Sequence, residues 1–142
     1  MTSFRNAIRC VGANAAITTM SGLERGEIGP PVEYGGRPDT LNPEELFVAS
    51  INSCLMLVFY HFAEKSAVEV QLYEADAQGT VDKTKNGLRF TNVSVQARVR
   101  ASGKDIASKV HELTELAEKY CLVSNSVSCP VSYSVSLGKD GA

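Results

Sequence analysis

The segment from Pro43 to Lys65 constrains the fold more than any other part of the chain. Asn42 is a good N-cap, Pro43 suits the first helical position, and Glu45 completes a pattern like a capping box. The following turns are apolar all round, as in Leu46-Phe47-Val48-Ala49 and Leu55-Met56-Leu57-Val58-Phe59. Such a helix must be buried on nearly every side, and a chain this small cannot wrap it alone. We therefore expect a second copy of the chain to supply the missing cover.

The remaining elements of the chain are predicted strands, with the alternation of a half-exposed antiparallel sheet, and one further helix. Strands are predicted at residues 4–11, 15–20, 68–83, 87–101 and 131–137, with an amphipathic helix at 104–120. The first two strands are joined by the tight turn Gly12-Ala13-Asn14. Residues 21–41 are rich in Gly and Pro and form a long loop with room for one short strand, and 122–128 form one or two helical turns. All 142 residues are expected to form one domain.

Composition limits the classes of function. The 14 basic and 16 acidic residues give a net charge of −2, so nucleic acid is not an expected partner. The N-terminus lacks the apolar core of a signal peptide, and no apolar run approaches the roughly 20 residues that a membrane span needs. We therefore expect a cytoplasmic protein without membrane contact. In that compartment the four cysteines are thiols rather than a disulfide framework. His61 and His111 have no cysteine at ligand spacing, and neither a metal nor a cofactor is expected.

Two of the cysteines invite a redox hypothesis, because each follows a strong helical signal. Cys54 lies in the apolar helix and Cys121 lies at the end of the second helix. A reactive cysteine needs a positive neighbour, and Cys54 is too far from its helix N-terminus for the helix dipole to act. Glu44 could orient an arginine beside Cys54, but the ten residues from Glu44 to Cys54 span about 15 Å along a helix. On a straight helix, these two side chains of one chain cannot meet. Either the helix is broken or two subunits pack these helices antiparallel. The competing interpretation is that Cys54 is a small buried hydrophobe and Glu44 an ordinary first-turn acid.

Three motifs carry a resemblance to a known family. They are Gly35-Gly36-Arg37-Pro38, Asn42-Pro43-Glu44-Glu45-Leu46-Phe47-Val48-Ala49-Ser50 followed by Cys54, and Ala117-Glu118-Lys119-Tyr120-Cys121-Leu122-Val123-Ser124-Asn125. Together they resemble the OsmC/Ohr family of osmotically induced and organic hydroperoxide resistance proteins. The resemblance implies an α+β, OsmC-like fold with antiparallel sheets packed around the long central helix. It also implies an intertwined homodimer with two sites at its interface.

The resemblance also implies a chemistry. Cys54 would attack an organic hydroperoxide and become a sulfenic acid, and Cys121 would then condense with it to a disulfide. A dithiol reductant, typically dihydrolipoamide on a lipoylated protein, would reopen that disulfide. Glu44 would be the carboxylate that partners an arginine. The alternative is a binding module of the same fold, without peroxidase activity, that holds an apolar ligand at the dimer interface and keeps its cysteines as slow redox sensors.

The chain departs from the family pattern at the arginine. Well-studied members carry it in the first hairpin turn, where this chain has Gly12-Ala13-Asn14. Arg9, Arg25 and Arg37 are the candidates to replace it. Arg37 is favoured, because its loop leads directly into Asn42 and Glu44.

Overall fold

The computed structural model describes residues 1–12 and 16–138. The described chain divides into two compact units, Met1–Phe47 and Val48–Ala142. Helix α1, Pro43–Lys65, begins in the first unit and continues without a break into the second. The prediction of one domain across the whole chain stays a prediction.

The first unit contains a three-stranded antiparallel sheet in the order β1-β2-β3. Its strands are β1 (Ala7–Cys10), β2 (Ala16–Met20) and β3 (Leu23–Ile28). Cys10 pairs with Ala16, as the predicted hairpin requires, whereas Ala13 and Asn14 of its turn lie outside the described residues. Ser21 and Gly22 connect β2 to β3, and both have positive φ, as a two-residue hairpin turn demands. The predicted long loop therefore contains the short strand for which it had room.

The rest of that loop leads from β3 to α1 and is held in place by backbone hydrogen bonds. Val32–Tyr34 form one 3₁₀ turn, and Leu41 N–H donates to Glu27 O at 2.9 Å. Gly36 packs so closely that a Cβ there would lie 1.7 Å from Pro30 O. A larger residue at position 36 would therefore displace backbone, which explains the glycine in the first motif.

Helix α1 has the predicted bounds, because its start is capped as expected. Asn42 Oδ1 accepts a hydrogen bond from Glu45 N–H at 2.7 Å. Only one stripe of the helix is fully buried in the single chain, formed by Ile51, Leu55, Phe59 and Ala63 at intervals of four. Leu57 is 63% exposed. The expected burial on nearly every side is therefore not reached within one chain.

The length and composition of α1 also meet the criteria for a membrane-spanning helix. An 18-residue window of α1 has a mean hydropathy of 1.7, and 22% of that window is buried. Core helices of soluble proteins can meet the same criteria. Polar residues such as Asn52 interrupt the apolar run of α1 without lowering its mean hydropathy much, so the expectation about membrane spans stays a prediction.

The second unit contains the second sheet, in the order β4-β5-β6. Its strands are β4 (Glu69–Thr84), β5 (Gly87–Ser102) and β6 (Val131–Leu137). Alternate residues of β5 from Val93 to Ala101 are buried, as the sequence pattern predicted. The pairing of β5 with β6 is parallel, which corrects the expectation of purely antiparallel sheets. The physical reason is that a helix, α2, connects β5 to β6, and such a crossover returns the chain to the end where β5 began.

Helix α2 spans Ile106–Tyr120 and buries Val110, Leu113 and Ala117. It begins two residues later than predicted, because Asp105 has φ 53° and cannot continue a right-handed helix. Cys121 ends the helix with an extended backbone, and a 3₁₀ turn at Ser124–Ser126 follows. That single turn lies inside the predicted segment 122–128.

Candidate active site

Cys54 and Cys121 meet in the second unit, where α1 lies beside the end of α2. Both are free thiols, and Cys121 is close enough to interact with the thiol of Cys54. Cys121 is fully buried and Cys54 is half-buried. A solvent-borne oxidant can therefore reach Cys54 more readily than Cys121. The two residues that the sequence singled out are therefore neighbours, as a disulfide between them would require.

The turn after α2 lies beside both cysteines. The backbone of Val123, and to a smaller extent that of Leu122, interacts with the Cys54 thiol. Ser124 N–H donates to Cys121 Sγ at 3.4 Å. Sequence reasoning missed these interactions, because side-chain identity does not encode the direction of a backbone amide.

The surroundings of Cys54 affect its pKa in opposite directions. Burial raises the pKa of the Cys54 thiol, and the adjacent Cys121 raises it further. The amides of Val123 and Leu122 lower it by favouring the thiolate, but the net direction is upward. The residues from Val48 onward thus leave Cys54 mostly protonated at neutral pH.

A tyrosine pair lies close to the buried cysteine. The hydroxyls of Tyr73 and Tyr133 are 2.6 Å apart, and Tyr133 is buried on β6. Burial raises the pKa of Tyr133, with smaller contributions from Tyr73, Glu118 and Cys121. Sequence analysis did not identify this pair. The inward position of Tyr133 in the alternating strand β6 was the available signal.

Glu44 lies in the first turn of α1 and has an unusual environment for an acid. Its Oε2 is buried, and no donor among the described residues lies within hydrogen-bonding distance of it. Buried carboxylate oxygens are normally paired, so this atom is a site where a missing donor would bind. Its role in catalysis is not tested by the fold and stays a prediction.

The three candidate arginines have other partners or exposed positions in the single chain. Arg37 forms ion pairs with Asp39 at 2.8 Å and with Glu27 at 3.1 Å, rather than with Glu44. These two carboxylates raise the pKa of Arg37, Asp39 more than Glu27. Arg25 donates to Met20 O at 3.2 Å, and Arg9 lies on the exposed strand β1. The expected activating role of Arg37 stays a prediction that would require it to exchange these partners.

Within residues 1–12 and 16–138, no group of three potential ligands is arranged to hold a metal ion.

The sequence itself identifies the family. A family model described as OsmC-like protein matches residues 36–136. The chain belongs to the OsmC-like family. The matched region contains the helix start at Asn42 and both cysteines of the candidate site, so the resemblance drawn from the sequence motifs is confirmed.

Relatives and solved structures agree with this membership. The uncharacterized protein YmaD of Bacillus subtilis is 27% identical over 127 residues, which cover 87% of this chain and 79% of YmaD. An OsmC-like protein of unknown function from Vibrio cholerae superposes with a TM-score of 0.86 at 24% identity, covering 95% of this chain and 99% of that one. The organic hydroperoxide resistance protein OhrB of Bacillus subtilis superposes with a TM-score of 0.64 at 24% identity, covering 96% and 98%. The predicted α+β, OsmC-like fold is therefore confirmed.

Proposed function

We propose that this OsmC-like chain is a thiol-dependent peroxidase that reduces organic hydroperoxides through Cys54 and Cys121. The observation that carries the proposal is the contact between a half-buried thiol and a fully buried one. The burial difference favours Cys54 as the residue that meets the peroxide and Cys121 as the residue that resolves the product. The fold shared with an organic hydroperoxide resistance protein supports the same chemistry.

The proposed reaction has three steps: oxidation of Cys54, formation of a disulfide, and its reduction by a dithiol. The Cys54 thiolate attacks one peroxide oxygen, the O–O bond breaks, and the alcohol leaves with a proton while Cys54 becomes a sulfenic acid. The thiol of Cys121 then displaces water from that sulfur and forms a disulfide, which prevents irreversible over-oxidation. A dithiol, such as dihydrolipoamide on a lipoylated protein, reduces the disulfide and leaves as its own cyclic disulfide. A cytoplasmic location fits this cycle, because that compartment favours return to thiols.

The proposal includes a homodimer in which each site is completed by the second copy. Leu57 and Tyr60 of α1 are 63% and 38% exposed, an uncovered apolar surface on the central helix. The buried Oε2 of Glu44 lacks a donor in the described part of one chain. Since α1 is continuous, ten residues separate Glu44 from Cys54 by about 15 Å along the helix. An antiparallel partner helix would supply both the cover and the Glu44 that the site needs.

The test is a free-thiol titration before and after one equivalent of an alkyl hydroperoxide. We expect rapid loss of two thiols per chain, with a disulfide between the Cys54 and Cys121 peptides. The experiment uses a Cys10→Ser, Cys129→Ser background, because Cys10 is exposed and could react nonspecifically. A Cys54→Ser variant in that background is the matched control and should lose no thiol. No loss over minutes from the parent would refute the peroxidase.

The second candidate is the binding module, favoured by a cleft on another face of α1. The cleft has a volume of about 320 Å³. Its lining residues are Ala49, Asn52, Ser53, Met56, Tyr73 and Ala75. An apolar ligand could occupy it without touching either active-site cysteine. Retention of all thiols in the titration, together with a ligand that protects Met56 from oxidation, would favour this function.

A further inference from the structure

The third sequence motif continues past Cys121 to Ser124 and Asn125, and neither of these residues has a role in the proposed reaction. Both lie in the turn that follows α2. Asn125 Nδ2 donates to Lys119 O at 2.9 Å, and Asn125 N–H donates to Cys121 O at 3.0 Å. Asn125 therefore joins the turn to two carbonyls at the end of α2, one of which belongs to Cys121.

The carbonyl of Lys119 needs a donor from outside the helix. The last four C=O groups of an α-helix have no intrahelical donor, and α2 ends at Tyr120. The chain changes direction at the next residue, because Cys121 has φ −69° and ψ 106° and is no longer helical. The side-chain amide of Asn125 supplies the donor to Lys119 and holds the following turn against the end of the helix.

The same turn contacts the sulfur and the carbonyl of Cys121. Ser124 N–H donates to Cys121 Sγ at 3.4 Å, and Ser124 Oγ donates to Cys121 O at 3.3 Å. Cys121 is fully buried, so its side chain is surrounded by other atoms of the chain. The position of this thiol therefore depends on the hydrogen bonds between the turn and α2.

A disulfide tolerates little displacement of its two cysteines. The Cβ atoms lie about 3.5–4.5 Å apart in known disulfides. Cys54 belongs to another helix, and the two helices touch next to Cys121, where the rings of Phe62 on α1 and Tyr120 on α2 have centroids 5.5 Å apart. A looser turn would allow Cys121 to leave the range in which its sulfur can bond to that of Cys54.

We propose that Asn125 is a positioning residue that holds Cys121 where it forms a disulfide with Cys54. Its role in turnover rests on the proposed peroxidase function, whereas its effect on the disulfide does not. In turnover, the thiol of Cys121 displaces water from the sulfenic acid of Cys54. A second hydroperoxide competes by oxidising the same sulfur to a sulfinic acid and leaving as its alcohol. Asn125 thus favours the reversible product over the irreversible one.

The first test measures the disulfide without peroxide. The chain with Cys10→Ser and Cys129→Ser is equilibrated in buffers of reduced and oxidised glutathione. Mass spectrometry then gives the fraction of chains with a disulfide between Cys54 and Cys121, and hence the equilibrium constant for that disulfide.

The variants for this test differ in which hydrogen bond they remove. Asn125→Ala removes the donor to Lys119 O, and Asn125→Asp replaces that donor by an acceptor of the same size. The matched control is Ser126→Ala, because Ser126 is also exposed but donates to Leu122 O at 2.8 Å, inside the turn. We expect Asn125→Ala to lower the equilibrium constant about fivefold, as the loss of one hydrogen bond predicts, Asn125→Asp to lower it at least as much, and the control to match the parent.

The second test separates the two steps of the peroxide reaction. The sulfenic acid of Cys54, trapped with dimedone in a Cys121→Ser background, should form at the same rate with Asn125 and with Asn125→Ala. With Cys121 present and excess alkyl hydroperoxide, Asn125→Ala should raise the sulfinic acid formed per turnover about fivefold. Slower formation of the sulfenic acid would show that Asn125 acts on Cys54 itself and would overturn its assignment to Cys121.

The outcomes separate this inference from the peroxidase itself. Equal disulfide constants in the parent and both Asn125 variants would overturn the inference even if peroxide is consumed. An equal loss in Ser126→Ala would also overturn it, because the effect would then belong to the turn as a whole. A lower constant confined to the Asn125 variants, in a protein that consumes no peroxide, would leave the inference standing and refute the proposed function.

Discussion

Truncation of Leu57 is the sharpest test of the proposed dimer, because this leucine is exposed on an otherwise apolar helix. Full burial of a leucine side chain contributes about 1.5–3 kcal/mol. Leu57 is 63% exposed in one chain, so an interface can still gain roughly 1–2 kcal/mol from it. A twofold dimer contains two copies, which gives about 2–4 kcal/mol in total. Leu57→Ala should therefore weaken dimerisation by about 30- to 700-fold.

The assay is sedimentation velocity over a dilution series of wild type, Leu57→Ala and a matched control. Leu88→Ala is that control, because Leu88 is 62% exposed but lies at the end of the β4–β5 hairpin instead of on α1. We expect the wild type and the control to dimerise at similar concentrations and Leu57→Ala to dissociate at much higher ones. A folded wild-type monomer at micromolar concentration would refute the interface, as would equal dissociation constants for the two variants.

Three other predictions concern the site. Cys54→Ser should abolish peroxide consumption, whereas Cys121→Ser should allow one turnover and trap Cys54 as a sulfenic or sulfinic acid; mass spectra with the oxygen adducts on Cys121 instead would reverse the roles. Glu44→Gln should slow peroxide turnover by about 10- to 150-fold, because a charge-assisted hydrogen bond is lost. The control is Glu45→Gln, at an exposed position of the same turn, and equal turnover rates for the two variants would exclude a catalytic role for Glu44. The raised pKa of buried Tyr133 contributes stability that is present below about pH 10 and is lost above it, when the unfolded tyrosine ionises. Tyr133→Phe should therefore make the decline in unfolding free energy shallower by up to about 1.4 kcal/mol per pH unit, and an unchanged slope in denaturant titrations would contradict this.

The parts of the fold that follow from local chemistry could be predicted from the sequence. The bounds of α1 follow from the cap at Asn42, and the inward face of β5 follows from its alternation. The direction of β6 could not be predicted in this way, because a strand has the same alternation whether it pairs parallel or antiparallel. That direction depends on the connection through α2, which is a property of the topology rather than of the strand.

Some features of the candidate site could likewise be predicted from the sequence, and others depend on the folded chain. The meeting of Cys54 and Cys121 was implied by the family resemblance, which carries long-range information that periodicity lacks. The partners of Arg37 were not foreseen, because Glu27 lies ten residues away on β3 and reaches it only through the folded loop. The amides of Leu122 and Val123 depend on how the chain turns after Cys121, and no residue type specifies that turn alone.

Glu44 Oε2, which has no donor among the described residues, and the exposed surface around Leu57 lie on one continuous helix. A second copy of the chain could bind the carboxylate oxygen and cover the apolar surface. If the partner's α1 supplies the carboxylate that each site uses, peroxide turnover per chain should fall on dilution in proportion to the dimer fraction measured by sedimentation. The rate of Cys54 alkylation should not change on dilution, because the residues that influence its thiol, Cys121 and the turn that follows it, belong to the same chain. Turnover that stays constant while the dimer dissociates would show that one chain holds a complete site, and Glu44 would then be an ordinary first-turn acid.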